Sequence, residues 1–124
     1  MPTMSSAMFA LVAVGSASGA FVRWAVTGAA SESFETASTG ALNGLGSLLL
    51  GLVVGSKQPT ATHRAVGVGF CGGLTTFSSF AVDVAVQLDG GEVVGAVFLL
   101  VGTAAFAVTL AWAGYNIGRR RSNV

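Results

Sequence analysis

Four long apolar runs divide the chain, and short polar stretches separate them. The runs extend over about residues 6–27, 38–55, 64–87 and 92–117. Each comes close to the roughly 20 apolar residues that a helix needs to cross a bilayer. The polar residues gather between them: Ser31 to Phe34 with Glu32 and Glu35, then Ser56 to Thr62, then Leu88 to Gly91. This pattern predicts an all-α membrane protein of four transmembrane helices, a single domain over residues 1–124. An even number of spans places both termini on one side.

The third run has the wrong contents for a plain span. It carries Gly69-Phe70-Cys71-Gly72-Gly73-Leu74-Thr75-Thr76-Phe77-Ser78-Ser79-Phe80. Adjacent glycines weaken a helix, and two hydroxyls offer replacement hydrogen bonds where it weakens. Irregular backbone at membrane depth is tolerated only where it is buried in protein or lines a cavity. The expectation is a third helix broken near mid-membrane, and a site at the break. A break frees carbonyls at Gly72 through Thr75, and such carbonyls can coordinate a cation. Phe77 and Phe80, three apart, share nearly one face. They are either core packing or a pair of rings whose electropositive edges face a small anion weakly.

Composition agrees with the pattern. The 124 residues are 52% hydrophobic and 9% charged, against about 25% charged in soluble domains. A net charge of +1 gives no basis for binding nucleic acid. The single cysteine, Cys71, excludes an internal disulfide and a cysteine-based zinc cluster. It reads as a small packing residue. The N-terminus has no basic flank and its apolar run continues to Val26, so the first stretch reads as a retained span rather than a signal peptide. Small residues recur four apart at Gly15/Gly19, Gly40/Gly44, Gly51/Gly55 and Gly91/Gly95. Such pairs let helix backbones approach closely in lipid. Four short helices leave little interior, so a pore would need a second copy.

Charge is unevenly placed. The side shared by the termini and the second connection carries Lys57, Arg64, Arg119, Arg120 and Arg121. The other side carries Glu32, Glu35, Asp89 and Glu92, with Arg23 as its only basic candidate. Cytoplasmic loops carry excess Lys and Arg, so both termini are expected in the cytoplasm, in one fixed orientation.

A few polar residues fall inside the spans. Asn43 needs partners in hydrocarbon, and Thr39 one turn earlier shares its helix face. The pair is either interhelical glue or a polar lining that donates to a passing anion. Arg23, beside Trp24, either snorkels to the interface or draws anions to a vestibule. Asp83 reads as a helix-end residue. His63 has no second ligand near it for a metal. No nucleophile–base pair and no paired carboxylates occur at mid-span, so an enzyme is not expected.

The motifs now carry a resemblance. Gly19-Ala20-Phe21-Val22-Arg23-Trp24, Thr39 with Asn43 and Gly46-Ser47, and the Gly69–Phe80 stretch together resemble the Fluc/CrcB family of fluoride channels, across essentially the whole chain. The resemblance implies an antiparallel, dual-topology dimer in the cell membrane with two pores. It implies passive export of fluoride from the cytoplasm. By resemblance, Phe77 and Phe80 contact fluoride, Asn43 and Thr39 line its path, and Arg23 lies in the vestibule. Carbonyls of Gly72 and Thr75 would hold a structural sodium ion on the dimer axis. Some positions depart from the family pattern: Ser79 stands for a threonine, and Ser38 for a glycine. The family's polar track in the fourth span falls on Leu99, Thr103 and Ala107, where only Thr103 keeps a hydroxyl.

A chain that inserts both ways needs little charge bias, and this one has a large bias. The expectation is therefore a heterodimer with a paralogous chain of opposite orientation, a homodimer being the other option. Two further readings stay open: a small four-helix proton-coupled multidrug-type exporter, and a poreless structural subunit. The exporter would need a membrane-embedded carboxylate.

Overall fold

The computed structural model describes residues 5–57 and 60–121, so parts of the N-terminal stretch, of the second connection and of the C-terminus read above lie outside the described residues. Helices and short connections make up the described residues. Helix α1 covers Ser6–Ala29, α2 Glu35–Gly55, α3 Ala61–Leu74, α4 Phe77–Asp89 and α5 Val93–Arg121, with a 3-10 turn at Glu32–Phe34. Four segments are long and apolar enough to cross a membrane: α1, α2, the α3–α4 stretch and α5.

Capping fixes several helix starts. Ser5 accepts from the Met8 N–H at 3.4 Å, and Thr60 accepts from the His63 N–H at 3.2 Å. These side chains satisfy donors that the first helical turn leaves open. The turn between α4 and α5 closes on Gly91, whose φ of +79° suits only glycine comfortably.

Packing is built on two helix pairs, α1 on α3 and α2 on α5, with α2 also lying against α3. Glycines make the seams. A methyl group at Gly15 or Gly19 would run into the backbone of Val66, Phe70 or Leu74. One at Gly69 or Gly73 would meet Val12, Ser16 or Ala20. The second seam repeats this. Gly51 and Gly55 face the backbone of Ala111 and Tyr115, and Gly114 and Gly118 face Leu48, Leu52 and Gly55. In both seams residue numbers rise together, so the paired helices run parallel.

Two of the four expected small-residue pairs therefore pack backbone to backbone, Gly15/Gly19 and Gly51/Gly55. The other two do not. Gly40 faces open space and Gly44 meets the side chains of Phe106 and Leu110. Gly91 sits in the turn and Gly95 faces the Gln87 side chain. A four-residue spacing gives a helix a smooth stripe, but only a facing helix with its own stripe turns that into close approach.

The bundle buries few side chains: Leu42, Ala65, Cys71, Leu74, Phe80 and Ala96 among the apolar ones. Phe9, Phe21, Trp24, Phe98 and Trp112 lie more than half exposed. Such a surface suits lipid as solvent. Gly118 meets Gly55 and Ser56, and the second connection leads from there to α3, whose early turns pack on α1. Both described ends of the chain thus lie at one end of the bundle. Lys57, Arg64 and Arg119–Arg121 gather there, and Glu35, Asp89 and Glu92 lie at the other.

The seams make a test. Gly19→Ala should lower stability by about 1–3 kcal/mol, the usual range for overpacking. Gly40→Ala should leave it unchanged or slightly raised, because its helix face is open. Unfolding of the purified protein in mixed micelles reads both.

Candidate functional site: the α3–α4 junction

Thr75 and Thr76 connect α3 to α4 in extended conformation, with φ and ψ of −82° and 153° for Thr75 and −145° and 122° for Thr76. Leaving the helix frees peptide groups that water cannot reach in an apolar bundle. Each would cost about 1–3 kcal/mol if buried without a partner. The structure shows where they go.

The Thr75 N–H still reaches the Cys71 carbonyl at 3.0 Å, and the Thr75 hydroxyl donates to that carbonyl at 2.9 Å. The Thr76 N–H would reach back to Gly72 in an unbroken helix. Instead it donates to Asn43 Oδ1 at 2.8 Å. Asn43 Nδ2 in turn donates to the Thr76 carbonyl at 3.0 Å. The side-chain amide thus pairs with the peptide through two bonds, as one strand pairs with another. The Thr75 carbonyl accepts from Arg23 Nη1 at 3.2 Å. Thr76 Oγ1 then caps α4, accepting from the Ser79 N–H at 3.3 Å, with the Ser78 hydroxyl 3.1 Å away. Three helices therefore converge on two residues: α1 through Arg23, α2 through Asn43, and α4 through its own first turn.

An open groove of about 460 Å³ borders the junction. Asn43, Gly72, Thr75, Phe77, Phe80 and Thr103 all line it, together with Ser47 and Ala107. Of the fourth-span track, Thr103 and Ala107 reach the groove and Leu99 does not. The two phenylalanines sit with ring centroids 6.0 Å apart and planes tilted by 56°. Their surroundings differ sharply, since Phe77 is 79% exposed and Phe80 only 9%.

Thr39 lies elsewhere. It is 4% exposed and lines a smaller polar cavity of about 250 Å³ with Glu35, Ser78, Ser79 and Asp83. The first turn of α4 borders both spaces, Phe77 toward the groove and Ser78 and Ser79 toward the cavity. Sequence reasoning gave Thr76 and Ser47 no role of their own, and it took Asp83 for a helix-end residue, whereas Asp83 lies in the middle of α4. Thr76, three before Ser79, has N-cap spacing. Asp83 follows Ser79 by one turn and so shares its face. Ser47, one turn after Asn43, donates to the Asn43 carbonyl at 2.8 Å and lines the groove.

The amide–peptide pairing predicts an unusual ranking. Asn43→Asp keeps the acceptor for the Thr76 N–H but sets a carboxylate oxygen against the Thr76 carbonyl. Asn43→Leu, which leaves both Thr76 groups without a partner, should destabilise the protein by about 2–6 kcal/mol, and Asn43→Asp, with its added repulsion, by at least as much. Thr76→Ser, which keeps the cap, should be nearly silent. Thermal unfolding in detergent reads all three.

Comparison with known proteins places this geometry in a family. Residues 10–115 match the family described as CrcB-like protein, Camphor Resistance (CrcB). The chain is 40% identical over 107 residues to a protein of Natronomonas pharaonis named fluoride-specific ion channel FluC 2, covering 86% of this chain and 90% of that one. It is 38% identical over 105 residues to fluoride-specific ion channel FluC 1 of Halobacterium salinarum, covering 82% and 88%. It is 36% identical over 110 residues to fluoride-specific ion channel FluC 1 of Geobacillus kaustophilus, covering 87% and 95%. With four apolar spans and this match over most of its length, the chain is a multi-pass membrane protein that belongs to the CrcB family of fluoride-specific ion channels.

Proposed function

We propose that this chain is one subunit of a passive channel that lets fluoride leave the cytoplasm, working as a dimer with a second subunit of opposite orientation. The observation that carries this reading is the groove, where Asn43, Thr103 and both phenylalanines meet beside a junction whose Thr75 and Thr76 peptides are held by Arg23 and Asn43. Fluoride is small and strongly hydrated, so a route for it needs partners that replace water without trapping the ion. Ring edges of Phe77 and Phe80 offer weak positive potential. Asn43 Nδ2 carries two hydrogens, and Thr76 takes one of them, leaving a second donor on a side chain that lines the groove. Beyond the first turn of α4, the Thr39 cavity continues the polar lining with Ser78 and Ser79. The positive end of the α4 dipole lies between the two spaces. Arg23 serves this site by holding the Thr75 carbonyl, and its charge raises the local potential for an anion.

The exposed Phe77 ring and the open approach to Gly72 support a second subunit over this face. A structural sodium ion on the axis of that dimer would take the carbonyls of Gly72 and Thr75. The fit is that of a half-site. Gly72 has lost its usual donor, the Thr76 N–H, to Asn43, and a methyl group built on its Cα would meet open space. Thr75 shares its carbonyl with Arg23. Two carbonyls are too few for a hard cation, and a second subunit would double them. Bound there, sodium would neutralise converging carbonyl dipoles at the junction.

The basic end of the bundle belongs in the cytoplasm by the Lys/Arg rule, with both termini there. So strong a bias supports one orientation and hence a heterodimer with a paralogous chain. The exporter reading would rest on Asp83, the half-buried acid lining the Thr39 cavity.

A fluoride-efflux assay tests the proposal, with this chain in liposomes first alone and then with a paralogous partner. Efflux should be passive, appear or rise sharply with the partner, and be abolished by Phe77→Ile and by Asn43→Asp. Dependence on a proton gradient would overturn the channel reading in favour of the exporter. Robust efflux from the chain alone would overturn the heterodimer. For orientation, a cysteine at Ser31 should label from outside the cell. One at Ser122, which lies outside the described residues, should not.

A further inference from the structure

A second groove, of about 440 Å³, opens on the other flank of α3. Helices α1 and α2 both approach α3 but barely touch each other, so a slot remains between them. Val14, Leu49, Val53, Val66 and Phe70 make its walls, and Thr62 and His63 stand at one end. On α3 its lining residues Thr62, His63, Val66, Gly67 and Phe70 lie roughly opposite Val68 and Gly72, which face the first groove, at about 100° per residue, while Cys71 borders both grooves. From Thr62 to Cys71 the slot follows α3 for about 13 Å, at 1.5 Å per residue.

We propose that this slot binds an anionic phospholipid, with an acyl chain along its walls and the headgroup at the Thr62–His63 end. Three observations select this occupant. The walls are almost wholly apolar, so the slot does not suit water or an ion. The one polar end coincides with the basic end of the bundle. His63 lines it, Arg64 is next in sequence, and Lys57 stands at the same end of the bundle, in the connection from α2 to α3, two of the three helices that wall the slot. The acids Glu35, Asp89 and Glu92 all lie at the far end. Basic pockets between transmembrane helices on the cytoplasmic side recognise acidic headgroups. The start of α3 adds outward N–H groups at the same place. Finally, a second copy of the chain is the weaker candidate, because the proposed dimer covers the opposite flank of α3. That last point rests on the reading above; the charge and apolar fit do not.

Native mass spectrometry of the full-length protein in an uncharged detergent tests the site, with added phosphatidylglycerol or phosphatidylcholine of identical acyl chains. Phosphatidylglycerol should be retained at about tenfold lower concentration, given the worth of a few basic residues near an anionic headgroup. Lys57→Gln combined with Arg64→Gln should erase that preference. Ser18→Leu, which fills the slot from α1, should abolish retention of both lipids. Should that variant fail to fold, Val53→Phe fills the slot from α2 instead. Equal retention of the two lipids would overturn the proposal, as would unchanged retention in the filled variants. Dissociation of a dimer by those variants would mark the slot as a subunit contact and also overturn it. The readout is bound lipid, so its failure leaves the fluoride-efflux result untouched, and the reverse.

Discussion

A peptide group that leaves a helix inside an apolar bundle has no water to turn to, and the whole architecture of this chain answers that constraint. The Thr76 peptide finds both of its bonds in one side chain, Asn43, at 2.8 and 3.0 Å. The neighbouring Thr75 carbonyl is met by Arg23 from a different helix. Once these bonds are made, the chain can hold two extended residues between two helices with the Thr76 peptide and the Thr75 carbonyl partnered. The start of α4 is then set, and with it the placement of Phe77, Ser78 and Ser79 along two separate polar spaces. Side chains that a sequence reader would assign to the ion are thus engaged first by the backbone.

Such a clamp works only if α1 and α2 stand in fixed positions, and the glycine seams supply that. Gly15 and Gly19 lock α1 onto Gly69 and Gly73 of α3, just before the junction. Gly51, Gly55, Gly114 and Gly118 lock α2 to α5 toward the basic end. Lipid gives helices no hydrophobic reason to associate, so close backbone contact has to do it. The seams also leave what they do not fill. One opening faces Phe77 and suits the proposed ion route and second subunit. The other lies between α1 and α2 and suits a lipid chain.

The same economy shapes the electrostatics. Charges are few, and outside Arg23 and Asp83 the described ones stand at the two ends of the bundle, basic at one and acidic at the other. Within the proposed function this polarity fixes how the chain sits. It also leaves the inverted position in the dimer to a chain with the opposite bias. Arg23 is the exception at the centre, and its guanidinium has a stated structural partner in the Thr75 carbonyl.

The sequence by itself determined that four apolar segments exist and where their polar connections lie, because transfer to lipid depends on local composition that any run of about 20 residues reveals. It also determined the family, through motifs that are contiguous in the chain. It could name Asn43, Thr39, Arg23, Phe77 and Phe80 as residues of interest, yet it left their partners open. Asn43 meets Thr76 across 33 positions and Arg23 meets Thr75 across 52, and hydrogen bonds between helices leave no local trace. Thr39 and Asn43, one turn apart, were expected to share a lining, but the first turn of α4 stands between their two spaces. Phe77 and Phe80 share a helix face in sequence, while burial separates them, because only one is covered by its own chain. Which glycines become seams was likewise decided in three dimensions, since a smooth stripe matters only when another helix brings a matching one to it.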